Sequence, residues 1–292
     1  MRDPDKRSLW FSRGVRAWEQ AFGNSVGGYV CPLCTQAFDR SALEVRILTL
    51  EHAPPEALGG REVCLTCARC NNDAGRTVDA HMHRRELALD FVRGEMKNFR
   101  PARLTVRGVS MNVDHYHGGG GVLISGVPRV NPPGAVGRLE AALDSQLVDQ
   151  SLTIEPYRDT FDNRLAVVGW LRSAYLIAFA AFGYRFAFHG TLDRVREQLA
   201  HPERDVLGLF SVYLPAADRD SRSLLIVEDP CDLASLLVQF GRQLVFLPWK
   251  EAGIHDRLQQ RKARHPSFDA QLSGRQVPWP EEPLHLLDYP SQ

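Results

Sequence analysis

Two C-x-x-C pairs, Cys31/Cys34 and Cys67/Cys70, constrain the fold of this chain more than any other feature. Five of its six cysteines fall between Cys31 and Cys70. The N-terminus (MRDPDKRSLW) has no apolar leader, so a cytoplasmic, reducing location is expected. There, such spacings imply metal binding and not a disulfide framework. Four thiolates in a tetrahedral array suit a closed, structural Zn²⁺ site. Cys64-x-x-Cys67 has the same spacing and competes for the ligand set. Cys67/Cys70 is the preferred pair because its second cysteine leads directly into a predicted helix. Cys231 stands alone and reads as a small buried apolar residue.

Between the pairs, Val45–Leu50 has the β-branched content and alternation of a strand. It runs into Glu51-His52. Pro54-Pro55 then holds the chain extended, and Gly59-Gly60 reverses it toward a returning strand at Glu62–Leu65. A helix follows from Asn71. Phosphodiester hydrolysis needs a base for the attacking water and a cation for the charge that builds on phosphate. His52 suits the first role, because an imidazole titrates near neutral pH. Glu51 and Asn71 offer the hard oxygens that Mg²⁺ prefers. Arg69 and Arg76 flank the same turn, where a phosphate would meet a helix start. The bland reading makes His52 a core residue, Glu51 a surface charge and Asn71 an N-cap. Each is reasonable singly, but the three together, in this order inside one zinc frame, favour chemistry.

CPLC, EHAPP with GG behind it, and LTCARCNNDAG together resemble the four-cysteine subgroup of the HNH (ββα-metal) endonucleases, over roughly residues 30–80. The resemblance implies His52 as general base, Glu51 and Asn71 as ligands of a catalytic Mg²⁺ or Mn²⁺, and Cys31, Cys34, Cys67 and Cys70 on structural zinc. It also implies DNA as substrate, with 3′-hydroxyl and 5′-phosphate products. The chain departs from the commoner pattern in three places: Glu51 where Asp is usual, Glu62 where a loop Asn is usual, and Ala74 where a basic residue is usual. An RNA-directed nuclease, and a zinc module that only binds nucleic acid or protein, are the alternatives.

Composition is that of a globular chain, with 44% hydrophobic and 24% charged residues. Net charge is zero, and residues 1–100 carry 15 Lys+Arg against 13 Asp+Glu, so any phosphate-binding surface must be local. The expected organisation is α+β. A zinc-stapled, treble-clef-like ββα-metal nuclease core with an N-terminal helix (residues 8–22) would occupy residues 1–100. A larger mixed α/β domain of unassigned fold would occupy 101–292. The break is placed at Phe99-Arg100-Pro101. The second domain has no readable role beyond regulation, partner binding or substrate binding, as in nucleases of bacterial defence or mobile elements. Its protein partner or small-molecule effector is not readable.

In that domain, strands are expected across Arg103–Val113, Val122–Val127, Leu152–Glu155, Phe210–Leu214, Leu224–Val227 and Gln243–Leu247. Helices are expected from Pro132 to about Leu147, over Asn163–Phe182 and from Asp193 to Leu199. The polar tail beyond Pro266 reads as an extended arm. Leu165–Phe188 is the only long apolar stretch, and Arg172 within it, with Arg185 near its end, argues against a membrane span. Inside a buried helix, Arg172 must find a carboxylate or phosphate. His115 and His117 share a strand face and read as exposed hairpin residues before metal ligands. His81 lies nearly three helical turns beyond Asn71 and reads as a surface residue. Arg257, Arg261, Lys262 and Arg264 read equally as a solvated helix face or a track for a nucleic-acid backbone.

Overall fold

The computed structural model describes residues 3–143, 152–156, 160–264 and 270–283. It mixes helix and sheet, as an α+β chain should. The chain divides into two compact units, one made of residues 1–82 and 162–292, the other of residues 83–161. The expected break at Phe99-Arg100-Pro101 therefore falls inside the second unit.

The first unit opens with helix α1 (Asp3–Phe22), which buries Trp10 and Phe11. A small ribbon of β1 (Tyr29–Val30) and β2 (Ala37–Phe38) brackets the first cysteine pair. A short helix, α2 (Ser41–Glu44), precedes the hairpin β3 (Leu48–Ala53) and β4 (Arg61–Cys67). The strand thus begins three residues later than expected, because Val45 is exposed and ends α2 while Arg46 has positive φ. Glu51-His52 lies within β3, not beyond it. Gly60 is needed in the connecting loop, since a Cβ there would lie 1.4 Å from the Pro54 carbonyl oxygen. Helix α3 (Ala68–Ala74) begins directly after β4, a π-turn (Gly75–Asp79) widens it, and α4 (Ala80–Arg93) continues the chain.

The second part of this unit supplies most of its core. Helix α6 (Asn163–Phe182) ends as the sequence predicts and buries sixteen of its twenty residues. It is the one helix among the described residues long and apolar enough to cross a membrane, yet it lies inside the protein. Asp162 caps its N-terminus, and the His81 ring accepts a hydrogen bond from the Asp162 amide. Short helices α7 (Tyr184–Ala187) and α8 (Asp193–Ala200) follow. A five-stranded sheet comes next, containing β9 (Ser211–Tyr213), β10 (Arg222–Asp229), β11 (Ser235–Phe240) and β12 (Gln243–Leu247). Helix α9 (Ile254–Arg264) carries the basic cluster, where Arg257 and Arg261 bond to Asp232. The expected arm contributes the fifth strand, β13 (Ser273–Val277), paired antiparallel to β10. Cys231 is exposed, not buried.

In the second unit, a four-stranded antiparallel sheet has the order β7-β6-β5-β8. Its strands are β5 (Arg100–Val106), β6 (Val109–Gly118), β7 (Gly121–Gly126) and β8 (Leu152–Pro156). Arg103–Val113 is therefore a hairpin and not one strand, turning at Arg107-Gly108, both with positive φ. Helix α5 (Ala135–Leu143) packs on this sheet through Ala135 and Leu139. Its expected end near Leu147 lies outside the described residues. His115 is buried, with Nδ1 hydrogen bonded to the Arg100 carbonyl, while His117 Nδ1 bonds to the Phe91 carbonyl. Both rings pack edge-on against Phe91 and join no metal cluster among the described residues.

A four-sulfur cluster and a buried acid on opposite faces of one hairpin

The Sγ atoms of Cys31, Cys34, Cys67 and Cys70 all lie within 4.8 Å of one another. Cys34 and Cys67 are 3.7 Å apart, close to the ~3.8 Å edge of a tetrahedron whose Zn–S bonds are ~2.3 Å. The local chain builds this geometry. Cys67 ends β4 and caps α3, its sulfur accepting from the Cys70 amide at 3.5 Å. The Cys67 amide in turn approaches Cys31 Sγ at 3.5 Å. Tyr175 from α6 donates to the Pro32 carbonyl at 2.9 Å, and Tyr184 donates to the Val30 carbonyl, so the later part of the unit braces the CPLC turn. Hydrogen bonding with Cys31 holds the Cys34 thiol down at about 4 and the Cys67 thiol at about 6, while Cys31 itself is pushed up by Cys34. Cys34 and Cys67 are thus donors inclined to ligate as thiolates. The set fits a zinc-type metal.

Cys64 is excluded by strand alternation. Residues 64 and 67 are an odd number apart in β4, so their side chains leave opposite faces. Cys64 is wholly buried on the face away from the cluster, where burial pushes its thiol up.

The other predicted residues divide between the two faces. Thr49, Glu51 and Ala53 point toward α6, as do Cys64 and Thr66 from β4. Asn71, in the first turn of α3, donates through Nδ2 to Thr49 Oγ1 at 3.2 Å. Glu51 and Asn71 are thus brought to one side of β3, with Thr49 between them. His52 follows Glu51 at a β-bulge and is half-buried, and its ring makes no hydrogen bond among the described residues. Arg69 is exposed and bonds to the Cys34 sulfur, which raises its pKa. Arg76 is exposed and paired with Asp73 at 2.6 Å.

Glu51 has partners the motif does not reveal. Its Oε1 accepts from Arg172 Nη1 at 3.0 Å, and its Oε2 accepts from Thr66 Oγ1 at 2.7 Å. Only 3% of Glu51 is exposed. Asp79, from the π-turn, lies 4.0 Å from the same Arg172 nitrogen. Burial pushes the Asp79 carboxyl up against the opposing pull of Arg172. Burial alone would lower the Arg172 pKa, but Glu51 and Asp79 outweigh it and the net shift is upward. Arg172 therefore finds the carboxylate its place in an apolar helix demands.

The consequence for a catalytic Mg²⁺ or Mn²⁺ is direct. Such an ion prefers octahedral oxygen ligands and keeps several waters. Glu51 is buried with both oxygens engaged, and a guanidinium already stands beside it. Glu51 does not fit the ligand role that the motif implies. Asn71 does not conflict with it. No family model, curated protein or solved structure matches this chain.

Proposed function

We propose that this chain is an endonuclease of the HNH kind that hydrolyses DNA phosphodiester bonds, with His52 as general base and zinc on the four cysteines as a structural staple. The observation that supports this reading is the strand–strand–helix order closed by the four-sulfur cluster. It holds a half-buried imidazole at the bulge of β3, with Asn71 at the start of α3 bonded to Thr49, three residues earlier on the same strand. In this role His52 takes a proton from the attacking water. The zinc holds β4 and the α3 start against the CPLC turn. Because Glu51 does not fit a divalent ion, no step is assigned through one.

The test is relaxation of supercoiled plasmid with Mg²⁺ or Mn²⁺, against an EDTA control, alongside a matched RNA substrate. His52→Ala should slow cleavage by about 10²–10⁴-fold with zinc content and circular dichroism unchanged. Full retained activity would sink the assignment. The burial of Glu51 favours a second reading, a zinc module that binds nucleic acid or protein without cutting. That reading expects bound zinc, with no nicking of either substrate under any metal condition.

A further inference from the structure

We propose that Arg172 is the built-in counterion of Glu51. Its guanidinium fills the place beside the acid that the HNH resemblance gives to a divalent cation, so Glu51 ties β3 to α6 and ligates no Mg²⁺ or Mn²⁺. The inference rests on the HNH reading only for what that reading expects of Glu51.

Three observations carry it. Both carboxylate oxygens of Glu51 are engaged, one by the guanidinium and one by Thr66. The Arg172 and Glu51 side chains are only 6% and 3% exposed, which leaves little room for an ion that keeps several waters. Arg172 is also delivered by a rigid element. Gly169, one turn earlier on α6, lies so close to the start of α4 that a Cβ there would come within 2.8 Å of Met82 Sδ. The backbone that carries Arg172 is thus held by close packing, and the side chain it delivers is buried.

Charge balance points the same way. Glu51 and Asp79 face one guanidinium. Glu51 and Arg172 already neutralise one another, so a divalent ion brought beside them would have at most the Asp79 carboxylate as counter-charge and would leave the interior with net positive charge. The same balance says what should follow if the guanidinium is removed. The buried Glu51 carboxylate and the partly buried Asp79 carboxyl would then be left with no cation beside them.

The experiment is thermal unfolding of the zinc-loaded full chain, with and without millimolar Mn²⁺, for the wild type, Glu51→Gln, Arg172→Ala and the double variant. The wild-type Tm should not respond to Mn²⁺. Arg172→Ala should melt about 10 °C lower and recover part of that loss with Mn²⁺. The recovery should vanish when Glu51→Gln is added. A folded Arg172→Ala protein that gains nothing from Mn²⁺ overturns the proposal. So does a wild-type protein whose Tm rises with Mn²⁺ through Glu51. If Arg172→Ala does not fold, Mn²⁺ binding by the wild type and Glu51→Gln decides by electron paramagnetic resonance: equal binding upholds the proposal, and loss in the variant overturns it. Cleavage is not read at any point, so failure of the nuclease reading and failure of this one remain separate results.

Discussion

The two faces of the β3–β4 hairpin handle buried charge in opposite ways. One face sends Leu48, Leu65 and Cys67 toward Trp10, Tyr29 and the CPLC turn, and gathers four thiolates. Their negative charge calls for a cation from outside the chain. The other face sends Thr49, Glu51, Cys64 and Thr66 toward α6. Its negative charge meets an arginine encoded in the chain and held in the core. The first solution is exchangeable and depends on metal supply. The second is permanent and depends on a helix more than a hundred residues away. Adjacent residues of one strand can therefore sit under quite different chemical control.

The largest expected effect breaks the first face. A chelator, or Cys67→Ser, should remove most of the ~10 kcal/mol of apparent stabilisation that structural zinc gives a small module. Loss of near-ultraviolet circular dichroism from Trp10 and Tyr29 alongside loss of zinc would report it; an unchanged spectrum in the zinc-free protein would mean that the hairpin needs no staple. Next, Arg172→Met leaves Glu51 without its cation and should cost about 3–5 kcal/mol in denaturant unfolding. Glu51→Leu combined with Arg172→Met should regain much of that loss, and two additive single costs would show that the two side chains are not coupled. The smallest effect sharpens the second face by packing alone. Gly169→Ala should cost about 1–3 kcal/mol, because the flexible Met82 side chain can yield only in part.

The first face was readable from sequence because its information is local. Cysteine spacing, the proline-glycine loop and the helix that holds Cys70 lie within forty residues; the preference for Cys67/Cys70 over Cys64, read from that helix, has strand alternation as its physical reason. The span of α6 was equally readable, since a continuous apolar run bounded by Asp162 and Gly183 leaves little choice. The second face was readable only by halves. The burial of Arg172 demanded an acid, and Glu51 needed something, yet no local pattern joins positions 51 and 172. Val45 and Ile47 misled for a related reason. Their β-branched side chains suit a strand, but no neighbouring element covers them and both remain exposed. His115 failed in the opposite direction, because a histidine in a polar run is covered by Phe91, which precedes the sheet in sequence.

The divided sequence of the first unit also sets an order of events on the ribosome. Both cysteine pairs have been synthesised once residue 70 is added, whereas α6 begins only at Asn163. At ordinary elongation rates the intervening stretch takes on the order of 10 s to make. During that interval zinc can already close one side of the hairpin, while Val63, Cys64 and Glu51 wait in solvent for their cover. A newborn chain thus passes through a stage in which its metal site can be filled while the Cys64 thiol is uncovered and Glu51 is still without its arginine. Chaperones and oxidants would meet that stage before the finished protein exists.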